Sequence, residues 1–228
     1  MPFDKIATLK ALAITRRQTT FHDGSFPLGF YAGGKYECDY VSPYTKGASN
    51  VDADIFLLLQ DWSSDDDMRK SQEIEPDVLR FGRTLSQPTN QNLEQLLCKH
   101  FGLQISDTYG TNLYPFIKPG NMSAYIPQKY LVMAAQQFAL PQIEIVKPKL
   151  VICFGKATFN AIRKASDERT VDTVDLGIKY PFVVNHTHIW LQSHPGTLGK
   201  INRNKGGIDR VSEDWKYMSE QFKQYSVD

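Results

Sequence analysis

The sequence predicts a single-domain α/β fold with three layers, α/β/α, around a central, mostly parallel four-stranded sheet. From residue 54 onward, short apolar runs alternate with segments whose apolar residues repeat at helical spacing. This alternation is typical of parallel strands that are joined by helices. The chain has 228 residues, of which 41% are hydrophobic and 22% are charged. These values suit one large domain, and no internal repeat points to another architecture.

Residues 1–50 differ in composition from the rest of the chain, because Gly, Pro, Tyr and Phe are frequent and regular periodicity is scarce. We interpret them as an irregular, aromatic-rich N-terminal extension that packs on the domain, with a short helix around Lys5 to Arg17. Its aromatic side chains are expected to line a pocket. The α/β domain itself is expected to span residues 51–228.

The elements of the domain follow from the period of their apolar residues. Helical spacing is clearest in NQNLEQLLCKHF, residues 90–101, and Pro141 is expected to kink or divide a long helix. Strands are predicted at 54–60 and 149–155, and two further segments, 106–116 and 188–196, are each predicted to be a strand that runs into a loop. The predicted helices are 90–101, 127–146, a segment that begins after Gly155, and 208–224.

Composition narrows the functional classes. No apolar run is long enough for a membrane span, and the N-terminal residues lack the pattern of a secretion signal. Cys38, Cys98 and Cys153 have neither metal-ligand spacing nor the pattern of a disulfide framework, so we expect a cytoplasmic, reducing environment and no metal. The net charge of +1 excludes binding to nucleic acid by bulk charge alone, but it allows a local basic patch.

Three polar residues follow or end predicted strands: Asp61, Asn112 and His194. Ligands of open α/β sheets bind beyond the carboxyl ends of the strands, so these side chains are expected to converge there. Each also has a simpler explanation. Asp61 would suit the N-cap of a helix, Asn112 would satisfy loop backbone groups, and His194 before Pro-Gly would be a turn residue.

Several short motifs resemble, in the same order, those of the uracil-DNA glycosylase superfamily. They are Leu59-Gln60-Asp61-Trp62, Thr111-Asn112-Leu113, the strand–turn–helix segment KPKLVICFGKATFNAI and His194-Pro195-Gly196-Thr197-Leu198. Residues 80–97 resemble the segment that carries the family's base-stacking Phe. The resemblance covers roughly Val51 to Lys205 and leaves the extension out.

The resemblance implies a monofunctional DNA glycosylase, which flips a base out of the stack and hydrolyses its N-glycosidic bond. Asp61 would stabilise the cationic sugar and orient water, and a neutral His194 would donate a hydrogen bond to the departing base. Asn112 would read the base edge, with the backbone of Gln60 as a further contact. Phe81 would stack on the flipped base, although an ordinary core position explains it equally well.

The segment after His194 reads GTLGKINRNKGG and is expected to be a loop that contacts DNA. By resemblance Leu198 would wedge into the stack, and Lys200, Arg203 and Lys205 would contact phosphates. A solvated basic loop is the alternative. The four-cysteine iron–sulfur site of some branches is missing, so no cofactor or cluster is expected, and the protein is expected to act as a monomer on DNA.

The sequence departs from the family pattern at three positions, which carry Trp62 in place of Pro, Ser63 in place of a bulky Tyr, and Gly196 in place of Ser. The smaller Ser63 would admit a 5-substituted pyrimidine, unless Trp62 fills that space. The expected function is therefore removal of uracil or of a modified base, in repair or in defence against modified foreign DNA. Two alternatives are a catalytically silent DNA-binding module and a hydrolase of free nucleosides. The basic residues of 199–210 count against the second alternative, because a free nucleoside needs no phosphate contacts.

Overall fold

A five-stranded sheet with helices on both faces forms the centre of the protein in the computed structural model, which describes residues 4–21, 24–70 and 74–225. Residues 1–3 and 226–228, which the sequence assigned to the extension and to the domain, lie outside the described residues. The strands are β1 (Ile55–Asp61), β2 (Tyr109–Tyr114), β3 (Leu150–Phe154), β4 (Phe182–Val184) and β5 (Thr187–Gln192).

The order of the strands is β2-β1-β3-β5-β4, and all neighbours are parallel except β4 and β5. The α/β class and the mostly parallel sheet are confirmed, but the predicted number of four strands is wrong. The missed strand, β4, has only three residues and is too short to show a period. It joins β5 through Asn185 and His186, which both have positive φ (46° and 69°), as a tight primed hairpin turn requires.

Ten α-helices occupy the described ranges of the chain. They are α1 (Lys5–Gln18), α2 (Asp65–Lys70), α3 (Pro76–Phe81), α4 (Pro88–Phe101), α5 (Gln128–Ala134), α6 (Leu140–Val146), α7 (Lys156–Ala165), α8 (Val174–Lys179), α9 (Thr197–Arg203) and α10 (Arg210–Tyr225). None of them combines the length and apolar character that a membrane span needs.

The helix predicted over 127–146 is divided, as Pro141 indicated. A π-helical turn, Ala135–Ala139, separates α5 from α6, and Pro141 occupies the first turn of α6. Proline lacks a backbone N–H and its ring displaces the carbonyl four residues earlier, so the chain widens locally before the new helix begins.

The side chains of the strands divide between two cores because successive residues point to opposite faces of the sheet. One core packs against α1, α5, α6 and α7, and the other packs against α4 and α10. The first contains Phe56, Leu58, Leu131, Phe138, Phe159 and Ile162, and the second contains Leu57, Leu59, Leu93, Leu97, Trp190 and Trp215. The three predicted layers are therefore present.

Residues 4–50 are more closely integrated with the domain than a separate extension would be. Leu9 of α1 belongs to the first core, and Tyr44 belongs to the second. The Arg16 guanidinium is buried and pairs with Glu37, and its Nη2 donates to the Tyr40 carbonyl at 3.1 Å. This segment therefore contributes side chains to the cores on both sides of the sheet.

Two helices end at a glycine with left-handed backbone, but their surroundings differ. Gly82 ends α3 at φ 67°, and a Cβ there would lie 1.6 Å from the Pro43 carbonyl oxygen. Gly102 ends α4 at φ 69°, and a Cβ there would meet nothing within 4 Å. The end of α3 therefore lies directly on the Pro43 backbone, which only glycine allows.

We expect Gly82→Ala to lower the free energy of unfolding by roughly 2 to 4 kcal/mol, as left-handed strain and a backbone collision add. The matched change Gly102→Ala has the strain without the collision and should cost about 1 kcal/mol. Chemical denaturation of both variants measures the difference. Equal losses would contradict the close packing of Gly82 on Pro43.

Candidate active site

The three polar residues that follow the strand pattern line one cavity at the carboxyl edge of the sheet. Asp61 ends β1, Asn112 lies in β2 and His194 follows β5, and all three face a cavity of about 520 Å³. The convergence expected from the sheet is therefore present. Asn112 lies inside its strand, opposite Leu59, where the sequence had suggested a position after the strand.

Asp61 is held by two neighbours and does not cap a helix. Its Oδ1 accepts a hydrogen bond from Gln60 Nε2 at 3.1 Å, and its Oδ2 forms an ion pair with Lys118 Nζ at 2.9 Å. Helix α2 begins four residues later, at Asp65, so the capping alternative is wrong. The Asp61 side chain is only 8% exposed and that of Lys118 is 4% exposed, so this ion pair is nearly buried.

Lys118 is the site residue that sequence reasoning missed. Its side chain is 4% exposed, and Nζ also donates to the Met122 carbonyl at 2.6 Å. A single lysine in a Pro-Gly loop has no pattern that distinguishes it from a surface lysine. The one available signal was indirect, because a carboxylate at the end of a buried strand requires a counter-ion from elsewhere.

His194 presents a neutral imidazole with its proton on Nε2. The backbone N–H of Gly196 donates to Nδ1 at 3.0 Å, and this bond assigns the tautomer. One ring edge is open to the cleft, but the surrounding protein displaces water and lowers the pKa of His194, while the nearby Asp61 carboxylate acts in the opposite direction. The ring therefore remains a hydrogen-bond donor near neutral pH.

Two glycines allow the chain to fold closely around His194. A Cβ at Gly196 would lie 2.9 Å from both His194 Nδ1 and Thr89 Oγ1, and a Cβ at Gly199 would lie 2.2 Å from the His194 carbonyl oxygen. This close packing explains why position 196 carries Gly where the family pattern has Ser. Any side chain there would press on the ring nitrogen that the Gly196 amide contacts.

Asn112 is oriented by a residue of the N-terminal segment. The Ser42 hydroxyl donates to Asn112 Oδ1 at 2.5 Å, and the Asn112 side chain is almost fully buried. The amide oxygen keeps a second lone pair and the NH₂ group remains a donor, so both can still contact a ligand. Ser42 therefore acts as the orienting partner, and sequence reasoning did not identify it.

Trp62 is fixed at the cavity wall. Its Nε1 donates to the Gly82 carbonyl at 2.7 Å, and its ring meets Tyr36 edge to face at a centroid distance of 5.3 Å. Ser63 lines the same cavity. The indole is therefore held by a hydrogen bond at Nε1 and by its contact with Tyr36, and it borders the cavity together with Ser63.

Two of the predicted base contacts lie elsewhere. Phe81 lines a separate groove on the side of the molecule, where it packs under Arg80, and it does not line the cavity with Asp61. Gln60 lines a neighbouring cavity of about 420 Å³ that shares Asp61 and His194 with the first. The aromatic walls of the main cavity come instead from Tyr36, Tyr44 and Trp62, two of which belong to the N-terminal segment, as expected.

The segment after His194 is a helix, α9, where the sequence predicted a loop. Leu198 projects from its first turn with 73% of its surface exposed, and Lys200 and Lys205 are exposed beside it.

The predicted phosphate contact of Arg203 has no support, because its guanidinium is already occupied. Arg203 binds both carboxylate oxygens of Asp214, at 2.6 and 2.9 Å, and Asp175 at 2.6 Å. The hydrogen bonds that Arg203 donates to the Asp214 carboxylate are the main reason that the pKa of Arg203 is raised. Arg203 therefore fixes α9 to α8 and α10.

Neither a metal site nor a disulfide is found among the residues that the structure describes. No group of three or more His, Cys, Asp or Glu side chains is arranged to hold a metal ion there. Cys38, Cys98 and Cys153 are unpaired, and Cys153 is buried in β3.

No model of a known protein family matches the sequence, and no curated protein matches it either. The functional interpretation therefore depends on the geometry and chemistry of the cavity.

We expect NMR titration to show Nε2 protonation of His194 and a pKa below the ordinary histidine value of about 6.5, because the surrounding protein disfavours the charged ring. Asp61→Asn should lower this pKa further, since it removes the negative charge that favours the imidazolium. The resonance is assigned by its loss in His194→Gln. A pKa that rises in Asp61→Asn would contradict the proximity of the two side chains.

We expect Lys118→Met to lower the free energy of unfolding by about 3 kcal/mol, because it leaves the nearly buried Asp61 carboxylate without its cation. Asp61→Asn combined with Lys118→Met should recover part of the loss, since no unpaired charge remains. Lys149→Met removes the exposed Lys149–Asp54 pair and should change stability by less than about 1 kcal/mol. Similar losses in the two lysine variants, measured by chemical denaturation, would contradict this account.

Proposed function

We propose that the protein is a DNA glycosylase, which binds a flipped-out base in the main cavity and hydrolyses its N-glycosidic bond. The observation that carries the proposal is the convergence of Asp61, Asn112 and His194 on one cavity. These residues supply a carboxylate, an amide and a neutral imidazole, and each type corresponds to a requirement of the reaction.

The carboxylate meets the first requirement. As the N-glycosidic bond stretches, the sugar gains positive charge, and a nearby carboxylate stabilises that charge and orients the attacking water. Asp61 is nearly dehydrated, and its interaction with a developing cation is therefore weakly screened. Because Asp61 lies between the two adjoining cavities, the base would occupy the larger one and the sugar would lie beside the carboxylate.

The amide and the imidazole meet the second requirement, which concerns the base. The leaving base gains negative charge on its carbonyl oxygen, and a donor such as Nε2–H of His194 stabilises it. Asn112 offers an acceptor oxygen and an NH₂ group with two donors. Ser42 uses one lone pair of that oxygen, and the remaining lone pair and donors can read a pyrimidine edge. Tyr36, Tyr44 and Trp62 supply aromatic surface for the base.

Helix α9 provides a surface for DNA beside the cavity. Leu198 is exposed on its first turn, and Thr197 at the start of the helix lines the cavity itself. An exposed apolar side chain at the mouth is suited to fill the space that a flipped base leaves, and Lys200 and Lys205 are free to contact phosphates. This surface also disfavours a hydrolase of free nucleosides, which would have no use for it.

The cavity wall favours a base larger than uracil. Trp62 is held by its bond to Gly82, and the small Ser63 lines the same cavity, so a substituent at C5 of a pyrimidine would be accommodated beside Ser63. We therefore propose a 5-substituted pyrimidine as substrate, removed in repair or in defence against modified foreign DNA. The unpaired thiols agree with action in a reducing cytosol.

One observation favours a second candidate, a DNA-binding module without turnover. The charge of Asp61 is already balanced by Lys118, and a paired carboxylate stabilises a sugar cation less than a free one does. In that case the fold and the DNA surface would be used for binding alone.

We expect the protein to release a base from at least one duplex or single-stranded oligonucleotide in a panel that contains uracil, thymine, hypoxanthine, 5-hydroxymethylcytosine and its glucosylated form. Asp61→Asn should slow release roughly a hundredfold to ten-thousandfold, because the sugar cation and the water lose their carboxylate. Alkaline strand cleavage measures release, and fluorescence anisotropy measures binding.

The matched control is Asp66→Asn, which removes an acid of helix α2 that does not line the cavity. It should leave release within about twofold. Binding of the panel without any release would favour the silent module, and release that survives Asp61→Asn would overturn the assignment of Asp61.

A further inference from the structure

A buried arginine at the cavity wall has no hydrogen-bond partner for much of its guanidinium. Arg83 is only 9% exposed, and neither Nε nor Nη1 has an acceptor in the part of the chain that the structure describes. A buried, unsatisfied guanidinium is costly, because the group loses its hydration without replacement. Such a group is expected where a ligand supplies the missing acceptors.

The local packing positions this guanidinium in one place. It lies over the ring of Tyr44 at 5.3 Å, and Gly47 leaves room for it, since a Cβ there would lie 2.4 Å from Nη1. The Tyr44 hydroxyl in turn donates to Asn90 Oδ1 at 3.3 Å, and Asn90 Nδ2 donates to the Thr84 carbonyl at 2.8 Å. Arg83 is therefore fixed by stacking and shape, while Nε and Nη1 have no acceptor among the described residues.

Arg83 and Asn90 line two spaces at once. Both belong to the wall of the main cavity and to that of a groove of about 890 Å³ on the side of the molecule. The groove extends from these two residues along α4 toward Gln104 and Ser106, which precede β2. It therefore runs from the main cavity toward the amino edge of the sheet, away from the carboxyl edge at which α9 lies.

The side groove has a wall rich in hydrogen-bonding side chains. Amide and charged groups line it together with one aromatic ring, and the members are Lys46, Arg80, Phe81, Gln91, Glu94 and Gln95. Flexible amides and charges around an aromatic surface suit an oxygen-rich group better than an apolar one.

We propose that Arg83 recognises oxygen acceptors on a substituent of the flipped base, and that a long substituent continues past Arg83 and Asn90 into the side groove. This inference rests on the proposed glycosylase function and names the chemistry of its substrate. The base occupies the main cavity, its C5 side faces Ser63, and the substituent meets the Arg83 side chain where it borders both spaces.

The same donors would serve a carboxylate or a polyhydroxylated group, because both present oxygen lone pairs to the guanidinium. A phosphate of the DNA backbone fits less well. Leu198 and Lys200 of α9 are at the carboxyl edge, where the DNA would lie, and the groove leads away from that edge.

A first experiment is independent of catalysis. We expect Arg83→Met to leave the melting temperature unchanged or to raise it, because methionine fills the space without an unsatisfied charge. Arg80→Met, which alters an arginine of the same groove that stacks on Phe81, is the matched control. A fall of several degrees beyond the control would show that Arg83 supports the fold instead, and it would overturn the proposal.

A second experiment measures selectivity with oligonucleotides that carry 5-methylcytosine, 5-hydroxymethylcytosine, its glucosylated form or 5-carboxycytosine. We expect the protein to prefer an oxygen-bearing base over 5-methylcytosine, and Arg83→Met to reduce that preference roughly tenfold to a hundredfold. Arg210→Met, which alters an exposed arginine at the start of α10 that lines neither the main cavity nor the side groove, should keep it. The preference is the ratio of two release rates that are measured with the same protein preparation. A smaller fraction of folded protein lowers both rates equally and leaves the ratio unchanged.

The two ligand sources give different results in this assay. Preference for the carboxylated base identifies an anion, and preference for the glucosylated base identifies a polyhydroxylated group that enters the groove. Selectivity that is the same in Arg83→Met overturns the inference and leaves the glycosylase intact. If the protein releases no base and the Asp61→Asn variant binds none of the oligonucleotides, the proposed glycosylase function is wrong, and the inference is overturned with it.

Discussion

The ion pair between Asp61 and Lys118 is the constraint on which the rest of the site depends. Strand β1 is buried from Ile55 to Leu59, and it delivers the Asp61 carboxylate to the edge of the sheet with only 8% of the side chain exposed. A carboxylate in that position loses most of its hydration and needs a cation and hydrogen bonds in exchange, and Lys118 and Gln60 supply them. The loop that carries Lys118 is in turn fixed to the start of α2, since the Lys118 carbonyl accepts a hydrogen bond from the Asp65 amide at 2.9 Å. The charge at the end of one strand therefore organises the two loops that form one side of the cavity.

The other walls of the cavity depend on close backbone approaches. Gly199 lets α9 lie against His194, and Gly82 lets the end of α3 lie against Pro43. The Gly82 carbonyl also accepts the hydrogen bond from the indole N–H of Trp62. These contacts hold the imidazole and the indole in fixed orientations before any ligand arrives. A site of this kind pays little reorganisation cost on binding, which is the usual basis of electrostatic catalysis in enclosed cavities. Arg83 is the exception, because it is also fixed by packing, yet its Nε and Nη1 lack acceptors within residues 4–21, 24–70 and 74–225.

The N-terminal segment has a larger part in the site than its composition suggested. Tyr36 and Tyr44 line the cavity, Ser42 orients Asn112, and Gly47 makes room for Arg83. The aromatic content indicated a pocket wall, but not which rings would face it. Phe81 shows the converse case, since its position in the order of motifs suggested a stacking role and the fold directs it to the side groove. Arg203 is similar, because its charge suggested DNA and its partners turned out to be Asp214 and Asp175.

The sequence by itself determined the class of the fold, the order of its main elements and the edge of the sheet at which Asp61, Asn112 and His194 meet. Those features follow from local periodicity, and parallel strands bring their ends to one edge whatever the details of packing. Only the tertiary structure decided the partners of those residues. Ser42 and Asn112 are separated by 70 positions, and nothing in either neighbourhood specifies the other. The short strand β4 and helix α9 were missed for a related reason, since segments of three and seven residues are too short to display a period and gain their stability from the surfaces on which they pack. Contacts of this kind are set by the whole fold, and they decide which charges are paired, which donors are unused and which side chains face the cavity.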